Sequence, residues 1–307
     1  MKTAYVVISP ARNEERHIER MLKCMISQTI PPREWIIVDD GSSDRTAEIV
    51  CIYAEQHPWI RLVSLPDRGK RQRGPGVVEA FYQGYGRLNQ SDYDFIVKLD
   101  VDLSFDATYF EELLRRFAAS PTLGIAGGAL YIPRQGRWVL DKAPLDNVLG
   151  PTKVYRRECF EQIGGLVRSL GWDAIDDLRA QLRGWQTRTF TDLVVLHHRP
   201  IGTRSGGFGA GVEHGRGAYF MGAHPLYVLL RGIYRMVRDR PPLVAGLGLL
   251  YGYARSWLKR EPRIDDAEVI ALLRRKQMQR LFPLRAVYRG RSREGGPARG
   301  QTGKETG

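Results

Sequence analysis

The pattern of apolar and polar positions in the first hundred residues alternates between two periods. Residues 4–8, 35–38, 60–65 and 95–99 are short runs that are apolar on both faces, which is typical of buried strands. Between these runs, apolar residues recur at helical spacing, most clearly over residues 14–28. Strands and helices that alternate at the spacing of βαβ units predict an α/β fold, with a mostly parallel sheet and helices on both faces.

Polar residues follow three of these predicted strands at their carboxyl ends. They are Pro10 to Asn13, Asp39-Asp40 and Asp100 to Asp102. Because open α/β sheets bind ligands beyond the carboxyl ends of their strands, we expect these residues to line a binding site.

The alternation weakens beyond residue 105 but continues to residue 201. The predicted elements there are helices over 109–117, 158–163 and 176–182 and strands over 123–132, 153–156 and 193–196. From residue 202 the chain is Gly-rich and then apolar and aromatic, over 219–230 and 243–253. We therefore expect an α/β domain over residues 1–201, an amphipathic helical extension over 202–288 and a disordered basic tail over 289–307.

Composition restricts the classes of function further. Of the 307 residues, 43% are hydrophobic, which excludes wholesale disorder, and the formal net charge of +13 favours an anionic partner. The candidates are nucleic acid, a phosphorylated substrate and an anionic membrane surface. The three cysteines lack metal-binding spacing, and the opening residues do not have the pattern of a signal peptide, so we expect reduced thiols in the cytoplasm.

Asp100 and Asp102 close an apolar strand with one residue between them. In an extended chain this spacing puts both carboxylates on one side, where they suit a Mg²⁺ or Mn²⁺ ion that also binds phosphate oxygens. The alternative is a strand-terminating pair that caps the next helix. His197 and His198 end another strand, and either could ligate a metal or have a structural role.

Another acidic segment, Asp39-Asp40-Gly41-Ser42-Ser43-Asp44, follows the second strand. A carboxylate there can accept hydrogen bonds from a nucleobase or a ribose hydroxyl; alternatively, the segment is a turn with a helix cap. We assign the binding role to Asp39 and a capping role to Asp44. Ser43 can also cap the next helix, with Asp44 in its first turn.

Two further groups have both a functional and a structural interpretation. The basic loop over residues 67–76 contains Lys70 and Arg73; it could bind phosphates or be a solvated loop, and it lacks the Gly-Lys-Ser/Thr of a P-loop. Asp176 and Asp177 open a helix, where one could be a general base or both could compensate the helix dipole. The residues alone favour the dipole role for this pair.

Taken together, these segments resemble a known family. Residues 10–15 (Pro-Ala-Arg-Asn-Glu-Glu) and 37–46 (Ile-Val-Asp-Asp-Gly-Ser-Ser-Asp-Arg-Thr) look like the opening of the family 2 inverting glycosyltransferases, which have the Rossmann-like GT-A fold. The motifs occur in the family's order over about the first two-thirds of the chain. The resemblance continues through Asp100-Val101-Asp102, residues 155–158, Ile163-Gly164-Gly165, residues 175–177, Gly184-Trp185 and His197.

The resemblance implies a nucleotide-sugar donor and a divalent cofactor, Mn²⁺ or Mg²⁺. Asp100 would face the ribose and the diphosphate of the donor. Lys70 and Arg73 would contact the donor as well, although their loop lacks the Asn-X-Gly-Lys beginning that is usual in the family. The residues that would line the nucleoside pocket are Pro10, Arg12, Glu14 and Asp39.

The resemblance also implies a metal site and a catalytic base. Asp102 would hold the metal together with Asp100, and His197, which directly follows the last core strand, would be a further ligand. Asp177 matches the second position of the family's Glu-Asp motif and would be the general base, while Asp176 replaces the usual Glu. Asp177 would take the proton from an acceptor hydroxyl, and the metal would stabilise the departing nucleoside diphosphate.

These implications define the predicted function as a metal-dependent, inverting hexosyltransferase of glycan, polysaccharide or glycolipid synthesis. Gly184 stands where processive synthases have Arg, so a non-processive enzyme is expected. One alternative is a sugar nucleotidyltransferase, whose Gly-rich basic loop should follow the first strand, where Pro10 to Asn13 stands here. The other is a nucleic-acid-binding protein, but no basic stripe is interleaved with aromatic residues in the α/β segment, so we expect no nucleic-acid partner.

The C-terminal extension predicts membrane association without spanning. Residues 219–230 and 243–253 are apolar and aromatic but too short to cross a hydrocarbon core of roughly 30 Å, and arginines lie between them. Such segments suit helices that lie on the anionic inner face of a membrane, which would favour a lipid-linked acceptor. The alternative is that they pack on the first domain or on a second subunit of a homo-oligomer.

Overall fold

The computed structural model describes residues 3–67, 69, 74–134, 136–199, 206–239 and 241–282; Lys70, Arg73 and the predicted tail over 289–307 lie outside these ranges. The strands of this part of the chain are β1 (Tyr5–Ala11), β2 (Glu34–Asp39), β3 (Ile60–Ser64), β4 (Phe95–Leu99), β5 (Leu103–Phe105), β6 (Leu123–Arg134), β7 (Arg137–Leu140), β8 (Thr152–Arg156) and β9 (Gln186–His197). The helices are α1 (Ile18–Ile26), α2 (Thr46–Gln56), α3 (Pro75–Tyr85), α4 (Tyr109–Ala119), α5 (Arg157–Gln162), α6 (Trp172–Leu182), α7 (Gly206–Phe220), α8 (Pro225–Arg238), α9 (Val244–Leu258) and α10 (Ala267–Leu281).

These strands form one sheet with the order β3-β2-β1-β4-β8-β6-β9-β5, and β7 pairs with β6. The first four strands of that order are parallel, β8 is antiparallel to both of its neighbours, and β9 is parallel to β6. On β1, Tyr5 and Val7 pack on the face that α1 and α4 cover, whereas Val6 and Ile8 pack on the face that α3 covers. The predicted α/β architecture, a mostly parallel sheet with helices on both faces, is confirmed.

The loop after β1 shifts the starts of two helices from their predicted positions. α1 begins at Ile18 and not at residue 14, because Asn13 has a left-handed backbone with φ of 54° and Glu14 N donates to Thr46 Oγ1 at 2.7 Å. The prediction that Ser43 caps the next helix was wrong, since α2 begins only at Thr46. Asp44 makes the predicted capping contact, since its Oδ1 accepts the backbone N–H of Thr46 at 3.0 Å, but it lies before the helix and not in its first turn.

Several elements were not predicted from the hydrophobic pattern. These are β5, β7, α7 and α10, and β9 begins at Gln186 and not at residue 193. The first half of β9 is largely exposed and polar, so it lacks the apolar signal by which the other core strands were found.

The Gly-rich segment after β9 forms a helix because its glycines pack directly on another backbone. A Cβ atom at Gly211 would lie 2.4 Å from the carbonyl oxygen of Ala245, and one at Gly215 would lie 2.1 Å from that of Leu249. Gly248 of α9 stands equally close to α7, with 2.4 Å to the carbonyl oxygen of Phe208. The α7–α9 pair is therefore held by close backbone contact, to which the ring contacts of Phe208 with Tyr251 and of Tyr219 with Tyr253 are added.

The C-terminal helices are joined to the sheet domain through α6. Ile175 and Leu178 of α6 pack in one buried cluster with Val269 and Leu272 of α10. Arg179 of α6 adds an ion pair with Asp266, with 3.2 Å between Nε and Oδ2. Across the described ranges, none of the helices combines the length and the apolar character that crossing a membrane requires.

Candidate active site

A cavity of about 240 Å³ opens at the carboxyl ends of β1 and β4. It brings together three residues that the sequence predicted for donor binding: Pro10, Arg12 and Asp100. Lys98, Trp172 and Asp173 line the same cavity and were not among the predicted site residues. The position agrees with the rule that open α/β sheets bind ligands beyond the carboxyl ends of their strands.

Arg12 joins the end of β1 to two neighbouring loops. Its Nη1 donates to the carbonyl oxygen of Asp40 and its Nη2 to Asp67 Oδ1, both at 2.6 Å. Asp39 and Asp40 are both buried, but Asp40 lines the cavity, whereas the carboxylate of Asp39 accepts hydrogen bonds from the backbone N–H and the hydroxyl of Ser42. The donor-binding role of Asp39 stays a prediction, and the geometry places its neighbour nearer the cavity.

Lys98 fixes the wall of the cavity at the end of β4. This lysine is only 2% exposed; it forms an ion pair with Asp100 and donates to the carbonyl oxygen of Gly150 at 3.1 Å. Its ammonium lies 5.3 Å from the ring centroid of Trp172. The antiparallel register pairs Lys98 of β4 with Lys153 of β8, so two buried lysines are cross-strand neighbours. A lysine inside an otherwise apolar strand is the sequence signal that could have revealed this wall.

The predicted metal ligands Asp102 and His197 lie together at the end of β9, with 3.3 Å between Asp102 Oδ1 and His197 Nε2. Arg199 approaches the other carboxylate oxygen at 3.4 Å between Nε and Oδ2, and it also forms an ion pair with Glu14. Burial alone would raise the pKa of Asp102, but the hydrogen bond and charge of His197 and the charge of Arg199 lower it to about 2. His198 is engaged elsewhere, since its Nε2 lies 2.7 Å from Ser104 Oγ.

This pair has the donor atoms that a divalent ion takes in a nucleotide site. One carboxylate and one imidazole suit Mn²⁺, which would take its remaining ligands from phosphate oxygens and water. The Nδ1 atom of His197 is buried without a hydrogen-bond partner in the described residues, and the third predicted ligand, Asp100, is paired with Lys98. In the described part of the chain, no three His, Cys, Asp or Glu side chains form a complete metal site.

The predicted catalytic pair, Asp176 and Asp177, is fully buried around an equally buried lysine. Lys153 Nζ donates to Asp176 Oδ1 at 2.6 Å and to Asp177 Oδ1 at 3.0 Å. Their second oxygens accept from the Tyr155 hydroxyl and from the backbone N–H of Val148, respectively. Burial raises the pKa of Asp176 to about 6 and that of Asp177 well above its usual value, although the Lys153 ammonium opposes both shifts. Neither carboxylate lines the cavity.

Asp173, in the first turn of α6, is the carboxylate of this helix that does line the cavity. It follows Gly171, whose left-handed φ of 80° turns the chain into the helix, and Trp172. Its side chain is half-buried and faces Gly150, where a Cβ atom would lie 3.3 Å from Asp173 Oδ2. Within the described residues this carboxylate makes no hydrogen bond or ion pair. The general-base role of Asp177 stays a prediction, but the placement of the two carboxylates favours Asp173.

The same architecture occurs in solved structures of GT-A glycosyltransferases. The mannosyltransferase PcManGT from Pyrobaculum calidifontis, in complex with GDP-Man and Mn²⁺, matches with a TM-score of 0.54 at 15% identity, over 92% of this chain and 82% of that one. S. aureus TarS 1-349 in complex with UDP matches with a TM-score of 0.51 at 16% identity, over 84% and 92% of the two chains. At such identities the likeness establishes the fold, which is that of the GT-A glycosyltransferases.

The sequence assigns the chain to a family within this class. The profile of Glycosyl transferase family 2 matches residues 6–167, and the chain belongs to that family. A poly-beta-1,6-N-acetyl-D-glucosamine synthase of Staphylococcus aureus is 32% identical over 118 residues, which are 38% of this chain and 26% of the relative. A dolichyl-phosphate beta-glucosyltransferase of Trichomonas vaginalis is 32% identical over 161 residues, 48% and 44% of the two chains. The chain thus matches less than half the length of these relatives.

Proposed function

We propose that this chain transfers a sugar from a nucleoside-diphosphate sugar to an acceptor hydroxyl, with inversion at the anomeric carbon. The observation that carries the proposal is the composition of the cavity. Arg12 and the Lys98–Asp100 pair supply donor-binding groups on one side, and the uncommitted carboxylate of Asp173 supplies a base on the other. The solved neighbours in complex with GDP-Man or UDP support a donor of this class.

The reaction is a single displacement in which Asp173 acts as general base. The acceptor oxygen attacks the anomeric carbon while its proton passes to the Asp173 carboxylate. The bond from that carbon to the diphosphate oxygen breaks, and the electron pair leaves with the nucleoside diphosphate. A carboxylate that takes the proton as the attack proceeds accelerates such a step by about 10²–10⁴-fold. Asp173 is preferred over Asp177 because both oxygens of Asp177 are occupied inside the protein.

A divalent ion, Mn²⁺ or Mg²⁺, is part of the proposal. Asp102 and His197 would hold it, and it would supply positive charge to the diphosphate leaving group. Arg199, beside Asp102, adds a second positive charge at the same place. The Mn²⁺ in the complex of the archaeal mannosyltransferase supports this cofactor class.

The test is turnover of radiolabelled nucleotide sugars, with Mn²⁺ present, by the wild-type chain and by Asp173→Asn. Transfer by the wild type and its loss in the variant, with nucleotide-induced thermal stabilisation retained in both, supports the proposal. Release of pyrophosphate from a nucleoside triphosphate and a sugar 1-phosphate would instead identify a sugar nucleotidyltransferase. A salt-sensitive gel shift without turnover would identify a nucleic-acid-binding protein.

The proposal extends to a peripheral position on the anionic inner face of a membrane, with a lipid-linked or glycan acceptor. On α8, the exposed apolar residues recur at helical spacing on one stripe, and Arg231 and Arg238 lie beside it. On α9, Leu247, Tyr251 and Leu258 form a similar exposed stripe. The residues of the α8 stripe are Leu226, Leu229, Leu230, Ile233, Tyr234 and Val237.

An exposed apolar stripe with flanking arginines suits the headgroup region of an anionic leaflet. The test is flotation with phosphatidylcholine vesicles, with and without phosphatidylglycerol. Ile233→Glu, combined with Val237→Glu, should abolish binding, whereas Ile52→Glu on α2 should not, although Ile233 and Ile52 are both 48% exposed. If both variants float equally, or if Ile233→Glu/Val237→Glu loses only its self-association in sedimentation, the partner of the stripe is a second copy of the chain and not the membrane.

A further inference from the structure

Lys153 makes contacts with α6 that extend beyond charge neutralisation. The side chain lies on β8 and is completely buried. Besides the carboxylates of Asp176 and Asp177, its Nζ binds the backbone carbonyl oxygen of Asp173 at 2.6 Å. One ammonium thus ties both the first turn and the second turn of α6 to the sheet.

The first turn of α6 has no side-chain cap, so the contact of Lys153 with the Asp173 carbonyl oxygen is a side-chain link between this turn and the sheet. Gly171 occupies the N-cap position and has no side chain that could cap the helix. The carboxylate of Asp177, which Lys153 holds, also accepts the backbone N–H of Val148 at 2.8 Å. The segment that includes Gly150, which faces the Asp173 side chain, is therefore fixed through the same buried group.

We propose that Lys153 is a positioning residue that acts through Asp173. It holds the first turn of α6 at a fixed distance from the Gly150 segment that faces the Asp173 side chain. The inference rests on the proposed function, because it concerns the placement of the proposed base. Lys153 is completely buried and lies outside the residues that line the cavity, so we expect it to contact neither donor nor acceptor. Its loss should lower kcat for transfer and leave the KM for the donor unchanged.

The neighbouring lysine provides a matched control. Lys98 is the cross-strand partner of Lys153, is similarly buried and also binds a carboxylate, but that carboxylate is Asp100 on the donor side. Because Lys98 also binds the carbonyl oxygen of Gly150, the donor KM distinguishes the two variants. Lys98→Met should raise this KM, whereas Lys153→Met should leave it unchanged and lower kcat by about 10²-fold, the effect of a displacement near 1 Å in the reacting geometry. Parallel losses of kcat and donor affinity in both variants would show a merely structural role.

The decisive measurement is the double variant Lys153→Met/Asp173→Asn. If Lys153 acts through Asp173, its substitution should slow the Asp173→Asn enzyme no further, to within about twofold. Independent losses that multiply would overturn the proposal. Wild-type turnover that falls by about 10²–10⁴-fold in Asp173→Asn shows that the proposed function holds while the double variant is compared. If wild type is inactive, or if Asp173→Asn is fully active, the proposed function itself has failed.

Removal of a buried cation between two carboxylates can prevent folding. Lys153→Met/Asp176→Asn/Asp177→Asn removes all three buried charges and keeps the acceptor for Val148 N, so the same kinetics are measured in this background. A folded variant without buried charges that still shows the kcat loss with normal donor KM supports positioning. Wild-type kcat in that variant, or failure of both variants to fold, overturns the positioning role.

Discussion

Asp173→Asn and Asp177→Asn are the same chemical change at two positions of one helix, yet the structure predicts opposite outcomes. The side chain of Asp173 lines the cavity, whereas that of Asp177 is buried against Lys153. Burial raises the pKa of Asp177 well above its usual value, against the opposing charge of Lys153. A carboxyl group that tends to keep its proton is a poor base and is well replaced by an amide.

The magnitudes follow from these surroundings. Asp173→Asn removes the proton acceptor and should lower kcat by about 10²–10⁴-fold, with little effect on stability because the side chain makes no ion pair in the described structure. Asp177→Asn weakens one charged hydrogen bond, worth about 1.5–3 kcal/mol, but leaves Lys153 with Asp176 as a balanced pair. Relief of the repulsion between two buried carboxylates offsets that loss, so we expect a net change below about 2 kcal/mol.

The assay combines initial-rate kinetics with urea unfolding of the two variants and wild type. We expect a kcat within about tenfold of wild type for Asp177→Asn and a far lower value for Asp173→Asn, at similar donor KM. Normal turnover by Asp173→Asn together with an inactive but folded Asp177→Asn would refute the reasoning. In that case the assignment of the base from the family resemblance would stand.

Further predictions concern the metal, the thiols and the helix packing. Asp102→Ala should abolish the extra thermal stabilisation that Mn²⁺ gives to the nucleotide complex, and full activity in EDTA would contradict the metal assignment. Cys51 is exposed and should react rapidly with a thiol reagent at pH 8, whereas burial raises the pKa of Cys159 to about 12, so that it should react only on unfolding; mass spectrometry distinguishes the two. Gly215→Ala should lower the melting temperature because its Cβ would lie 2.1 Å from a carbonyl oxygen, while Gly207→Ala, with 3.3 Å to a valine methyl group, should not.

The strands β1 to β4 and the polar residues at their carboxyl ends could be predicted, because each is marked by a short local sequence pattern. The strands β1 to β4 are short apolar runs, and their carboxyl ends carry the polar residues that meet at one edge of the sheet. The pairing of Asp102 with His197 was implied by family resemblance, and the structure places the two side chains together.

The α6 carboxylate that lines the cavity and the wall formed by Lys98 could not be predicted, because they depend on which strand lies under α6. Asp173, Asp176 and Asp177 share one face of a helix by spacing alone, so periodicity cannot tell which carboxylate is buried. The answer depends on Lys153, which reaches this face only because β8 enters the sheet antiparallel to β4. In the same way, α7 was missed because glycine disfavours helices locally, and only contact with α9 explains it.

The cross-strand pair of Lys98 and Lys153 also has a consequence for folding. Like charges directly opposite each other destabilise a ladder, so the pairing of β4 with β8 is weakened until each ammonium meets its carboxylate partners. For Lys153 those carboxylates belong to α6, which follows later in the chain. We therefore expect β8 and α6 to open and close as one cooperative unit, with amides that exchange hydrogen at the same opening free energy. The ion pairs that shape the cavity would then also determine when the two halves of the sheet join.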